Sequence, residues 1–313
     1  NPPTGDQLIG TETAGTGLWA LDRIAPAVFN LVCLPAAARL GDSGKPPEAT
    51  KPSAAYQTAI AKAAAFARDR RAFLLVDPPA EVATVAQLLT WFPAADQLAT
   101  PNAAIYFPRL MVADPLNGGR LRNTAPSGTM AGVYARTDAT RGVWKAPAGV
   151  DTTLTGASLA ANLTDAEQGA LNPMGVNVLR TFPIYGSITW GARTLYGADQ
   201  RASEWKYVPV RRTALFIEES LMQGLRWVVF EPNDEPLWTQ IRLNVDSFMN
   251  GLYRRGAFQG ATAEQAYMVA CDATTTTQGD IDSGIVNVLV GFAPLKPAEF
   301  VLLRIQQLAG QTA

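Results

Sequence analysis

The sequence predicts a mixed α/β (α+β) fold, on three observations. Short apolar runs alternate with helix-period segments between residues 29 and 112, capping residues stand where the periodic segments begin, and 313 residues with 48% hydrophobic and 17% charged side chains suffice for a large core. One large domain or two ordinary ones fit this length, and the composition favours neither disorder nor a fibrous repeat.

Residues 1–18 are rich in Gly, Thr and Pro and read as a loop. Phe29-Asn30-Leu31-Val32-Cys33-Leu34, stopped by Pro35, is a buried-strand pattern. After a polar stretch, a helix is expected from about Ser53, its N-cap, to Arg70, with Tyr56, Ile60, Ala64 and Phe66 on its apolar face. Phe73-Leu74-Leu75-Val76 follows as a strand, residues 82–92 as a helix and residues 103–112 as a third strand, an order that argues for a parallel sheet. A turn-rich linker at 114–123 leads to a helix at 127–136 and an irregular segment at 138–149. Strands are expected at 177–182 and 188–190, a helix at 213–226, and a strand at Trp227-Val228-Val229-Phe230.

The clearest helix follows. Asn233 or Asp234 caps it, Pro236 suits its first turn, Trp238, Ile241, Val245, Phe248 and Leu252 form its stripe, and Gly256 ends it. Strands at 266–271 and 285–292 enclose a polar Thr/Asp loop, and residues 300–308 form a last, strand-like segment. The organisation expected is a leading remnant at 1–18, an α/β portion at 19–120, a second α/β domain at 121–298 and a terminal strand at 299–313.

Charge and residue usage exclude several functions. Lys+Arg 26 against Asp+Glu 27 supplies no positive field for nucleic acid or anionic lipid. No apolar run approaches the roughly 18 residues of a membrane span, and residues 1–6 lack the features of a secretion signal, so the chain reads as cytoplasmic with no direct membrane insertion. It begins Asn-Pro-Pro rather than with Met, and upstream residues are expected. With no histidine anywhere, His-dependent triads and most zinc sites are excluded. Cys33 and Cys271 make at most one bridge, and a buried free thiol is the expectation at Cys33.

No constellation amounts to a catalytic, cofactor or metal site. Gly41-Asp42-Ser43-Gly44-Lys45 has the wrong spacing for a phosphate loop and is followed by Pro46. Asp280-Ile281-Asp282-Ser283-Gly284 hints at a calcium loop but lacks the third acidic position and the closing Glu; a polar connection accounts for Asp272, Asp280 and Asp282. Glu218 and Glu219, adjacent on a helix, point about 100° apart and share no target. Trp144, Trp190, Trp205, Trp227 and Trp238 fit either a ligand cleft or, preferably, core packing.

Several co-linear segments carry a resemblance. They are Arg141-Gly142-Val143-Trp144-Lys145-Ala146-Pro147, Leu171-Asn172-Pro173-Met174-Gly175-Val176-Asn177, Trp190-Gly191-Ala192-Arg193-Thr194-Leu195 and Val210-Arg211-Arg212. Ile217-Glu218-Glu219-Ser220, Trp227-Val228-Val229-Phe230-Glu231-Pro232-Asn233 and Val290-Gly291-Phe292-Ala293-Pro294-Leu295-Lys296-Pro297-Ala298-Glu299-Phe300 continue the series. In order and spacing they resemble the C-terminal core of contractile tail sheath proteins over residues 120–313, and residues 20–113 are similar to that family's preceding α/β portion. The sequence departs from the family at its front, where an N-terminal arm is normally present.

The resemblance implies a sheath core ending in an extended β arm, and a structural subunit, not an enzyme, that stacks in helical rings around an inner tube and contracts to drive it through an envelope. Its implied partners are further copies of itself, the tube protein, and baseplate and terminator proteins; cofactors and nucleic acid are not among them. Arms of neighbours are expected to add strands to a small sheet of each subunit. Phe300, Val301, Leu302, Leu303, Arg304, Ile305 and Gln306 form the candidate arm, with Val301, Leu303 and Ile305 on one face. A core helix facing the tube is also implied. Residues 213–226 are the candidate, with Arg211, Arg212, Glu218, Glu219 and Arg226 as tube-facing residues. The alternative reading is an α/β nucleotide- or metabolite-binding enzyme, suggested by the alternation at 29–112; a third is a plain capsid or tube protein that never changes length.

Overall fold

A computed structural model of the chain describes residues 3–24, 29–41 and 46–300. After an unexpected helix, α1 (Gly5–Ile9), three elements follow in the expected order: β1 (Leu31–Cys33), α2 (Ala54–Asp69) and β2 (Phe73–Val76). α1 replaces part of the loop expected at 1–18. Thr4 and Gln7 cap it reciprocally, and Ile9 is buried. α2 begins where the sequence places it, with Ser53 Oγ accepting from the Tyr56 N–H at 3.0 Å.

Next come α3 (Val85–Trp91) and β3 (Ala103–Phe107), then β4 (Leu110–Asp114) and β5 (Arg120–Thr124). The single strand expected at 103–112 is therefore two strands in different sheets. Pro108 has no N–H to continue the ladder, and the buried Arg109 turns aside to donate to Pro78 O at 2.9 Å and Asn123 Oδ1 at 2.6 Å. The linker expected at 114–123 is a β4–β5 hairpin whose Gly118 and Gly119 both take positive φ.

α4 (Ser127–Arg141) runs five residues further than expected into the segment read as irregular. β6 (Ala157–Leu159), α5 (Asp165–Leu171), β7 (Val176–Phe182) and β8 (Gly186–Trp190) follow. The last half holds α6 (Val208–Gly224), α7 (Glu235–Arg254), α8 (Ala263–Ala266), β9 (Tyr267–Ala270), α9 (Gln278–Asp282) and β10 (Leu289–Phe292).

The main sheet has the order β1-β2-β3-β7-β8, parallel except for the antiparallel edge strand β8. Because both faces are covered, β2 and β3 are buried at every position, which is why their sequences are unbroken apolar runs. Leu74, Val76, Ile105, Phe107, Val176 and Val178 face the core that includes α2 and α3 residues; Phe73, Leu75, Tyr106 and Leu179 face the one that includes α4 and α6 residues. β3 and β7 are neighbours, so one sheet runs through the division expected at 120/121, and strand pairing rather than chain order sets this unit.

A second sheet, β5-β4-β6, is antiparallel. A third unit packs the α7 stripe of Leu237, Trp238, Ile241, Val245, Met249 and Leu252 against β9 and β10. α6 joins the cores: Leu215 lies in the second and Ile217 in the third. The strand expected at 227–230 is instead a 3-10 turn (Arg226–Val228) with Phe230 at φ 75°; four consecutive apolar residues have no period, and Val228 packs side-on against the third core instead of pairing in a sheet. Both cysteines are free, and burial pushes the Cys33 thiol up to about 11.

Candidate subunit-linking site

The site comprises the small β9–β10 sheet and the strap that leaves it. β9 and β10 are antiparallel with Val290 opposite Val269 and Phe292 opposite Tyr267, all packed toward α7. Alternation turns Leu289 and Met268 outward, 55% and 52% exposed. Gly291 faces Met268, and a Cβ there would stand 2.9 Å from Met268 Cγ, so a larger residue would push the Met268 side chain aside. A two-stranded sheet is marginal by itself and here relies on α7. Among the described residues each of its strands is an edge, leaving two rows of backbone donors and acceptors open.

From β10 the strap 293–300 crosses to the main sheet, and Glu299 anchors it. The Arg193 guanidinium, 1% exposed, donates from Nε and Nη2 to Glu299 Oε1 and Oε2, both at 2.7 Å, and the Tyr207 hydroxyl donates to Oε2 at 3.1 Å. Arg193 also pairs with Asp199 at 3.0 Å. Its backbone is fixed by Asn177 of β7, which accepts from Arg193 N at 2.6 Å and donates to Arg193 O at 2.7 Å. Burial works against both charges, yet the pairing outweighs it: Glu299 is held below the ordinary carboxylate value and Arg193 above its own. The sequence contained both residues in resembling segments, but nothing in it paired positions 106 apart.

Of the arm residues only Phe300 lies in the described region, 75% exposed. Val301, Leu302, Leu303, Arg304, Ile305 and Gln306 lie outside it, as do Asp42 to Lys45 of the phosphate-loop reading.

The tube-facing candidates separate. Arg212 is 4% exposed and bidentate to Asp138 of α4 at 2.8 and 2.6 Å, with Tyr134 beneath it, so as a tube-facing residue it is corrected to an internal tie: it sits on the face of α6 turned to the sheet. Arg211 stacks over Trp205 and donates to Asn102 Oδ1 at 2.9 Å, with Glu218 at 3.5 Å. Glu219 accepts from Arg71 Nε at 2.6 Å, so the adjacent Glu218 and Glu219 do take separate partners. Glu218 and Arg226 are exposed.

Asp280 closes a capping box with Thr277 on α9, which accounts for it without a cation, and no described cluster of His, Cys, Asp and Glu could hold a metal ion. Trp238 is core, its Nε1 donating to Asn233 Oδ1 at 2.8 Å; Trp144 packs against the third core and also lines a cavity of about 720 Å³, whose other aromatic wall, the exposed Trp190, departs from the core reading. No helix among the described residues is long and apolar enough to cross a membrane.

Known proteins match this architecture. A family model, the phage tail sheath C-terminal domain, matches residues 200–307, and that span contains α6, α7 and both strands of the small sheet. The class is therefore that of tail sheath proteins. The contracted PVC sheath complex of an extracellular contractile injection system is 31% identical with TM-score 0.72, covering 93% of this chain and 75% of that one. The contracted helical sheath of the anti-feeding prophage is 31% identical with TM-score 0.68, covering 95% and 76%. The chain belongs to the contractile tail sheath family. The tail sheath protein of Vibrio phage KVP40 (isolate Vibrio parahaemolyticus/Japan/Matsuzaki/1991) is 26% identical over 179 residues, 56% of this chain, and the chain spans a quarter of that protein's length.

Proposed function

We propose that the chain is the structural subunit of a contractile sheath, which polymerises helically around an inner tube and contracts to drive that tube through a target envelope. The observation that carries this is the two-edged β9–β10 sheet on α7 beside an anchored strap, in a chain 31% identical to two contracted sheaths. Open edges accept strands from neighbours, and the arm at 300–306 is the strand donated, an addition that would bury its alternating apolar face. Repetition of a head-to-tail contact gives an open helix.

Contraction needs two packings of one subunit, with the extended one higher in free energy and held until the baseplate releases it. No bound nucleotide is required for that. Assembly takes place in the cytoplasm, with tube, baseplate and terminator proteins as partners, to give a phage tail or phage-tail-like particle. For contact with the tube the proposal narrows to Glu218 and Arg226, which are exposed, because Arg212 is occupied internally.

Negative-stain microscopy of the full-length chain with its tube protein and baseplate tests this. Long striated tubes that occur in two lengths are expected. A strictly monomeric species, or turnover of a small metabolite, rejects the reading, and polymers of a single fixed length favour a plain tube or capsid protein.

A further inference from the structure

Phe230 is fully exposed and sits at φ 75°. A bulky side chain in the left-handed region is a backbone outlier, retained where something outside the local chain uses it. Val229, 62% exposed, stands beside it, and Glu231, Asp234 and Glu235 follow. Asp234 caps α7 and Glu235 lies 3.7 Å from Arg242, while Glu231 has no ion-pair partner among the described residues. The α6–α7 turn is thus an apolar knob with an acidic collar.

The cavity of about 720 Å³ has the opposite character. Trp144 and Trp190 form walls, and Arg141, Lys145, Arg255 and Lys296 supply cations. Arg255 stacks 5.1 Å from the Trp144 ring centre, and neither it nor Lys296 has a carboxylate partner among the described residues. The wall's own carboxylate, Glu299, is taken by Arg193. Its volume has room for an aromatic side chain together with the residues that flank it, and its aromatic walls and cationic rim suit an aromatic group followed by carboxylates.

We infer that Phe230 of one subunit inserts into the Trp144–Trp190 cavity of the next copy, with Glu231 meeting Arg255 and Lys296. Their placement supports this occupant. The knob immediately precedes the N-terminal end of α7, and the cavity takes in Arg255 and Gly256 just beyond its C-terminal end; the helix has 20 residues, about 30 Å. Two different, complementary surfaces at opposite ends of one rigid helix make a heterologous contact, which propagates into an open helix. This contact is additional to strand exchange and rests on the sheath reading.

The test uses the full-length chain with its tube protein. Phe230→Gly suits the left-handed turn, so subunit melting is unchanged or slightly raised, while the critical concentration for polymerisation rises at least tenfold. Arg255→Glu with Lys296→Glu has the same effect on polymerisation, and adding Glu231→Lys restores it in part. A benzoyl-phenylalanine photoprobe at position 230 is expected to cross-link to peptides containing Trp144 or Trp190 of another copy. If the wild-type chain polymerises but Phe230→Gly does so at the same concentration, or if the probe captures the tube protein or another surface, the inference alone is overturned. If the wild-type chain never polymerises, the sheath reading falls and takes the inference with it.

Discussion

Asp77 shows how one residue sets a local conflict. It ends β2 at 3% exposure, and its Oδ1 accepts from the Ser127 N–H at 2.8 Å, capping α4 where Pro126 offers no side-chain cap. Burial pushes its carboxyl up to about 6, against the lowering effect of the Ser127 hydrogen bonds and of Arg109. A raised folded value means that the folded chain holds the proton more tightly than the unfolded one. The resulting stability is complete below the ordinary carboxylate value and lost as pH rises through about 6. Asp77→Asn keeps the carbonyl acceptor and removes the buried charge. Urea unfolding is expected to show a flatter pH dependence between 4 and 7 and a gain at pH 8 of up to about 3 kcal/mol. A loss at pH 8 would mean that the helix terminus needs the full charge. The sequence placed Asp77 at a strand end before two prolines; its role as a cap for a helix 50 residues away was not legible there.

Elements were legible where a local rule was sufficient. Ser53 starts α2 and Asp234 starts α7 because capping acts within four residues, and β2 and the β7–β8 hairpin follow from apolar runs bounded by turn residues. Errors fell where partners decide. The apolar run at 227–230 became a turn whose Val228 packs on the third core without strand pairing, and the 103–112 strand divided at Pro108 because its second half pairs with β5 and β6 instead. α6 carries arginines at 211 and 212, and only packing reveals that Arg212 points to Asp138. Asp138→Ala leaves that guanidinium buried without its partner and should cost about 3–5 kcal/mol in urea unfolding, whereas the exposed Arg226→Glu should change stability by no more than about 0.5 kcal/mol. Equal effects would mean that the α4–α6 tie contributes little.

At the scale of the molecule, the Arg193–Glu299 pair couples the small-sheet unit to the main sheet. Glu299→Gln removes one charge from a bidentate contact and should increase hydrogen exchange in β10 and the strap while leaving β2 and β3 protected. Burial opposes the Glu299 charge but Arg193 more than offsets it, so the carboxyl lies below its ordinary value. Its stabilisation is present above the unfolded carboxylate value and lost as pH falls through the lowered one, so acid below that value should loosen the strap. Uniform exchange across the chain would show that the pair anchors nothing. Family membership and the mixed α/β class could be read from the amino acids alone, because capping, periodicity and co-linear segments are properties of neighbours in the chain. That the main sheet crosses residue 120, that Glu299 meets a buried arginine, and that a knob and a cavity lie at opposite ends of α7 depended on the folded chain. Those are contacts between residues tens to a hundred positions apart, and no local pattern encodes which of them meet.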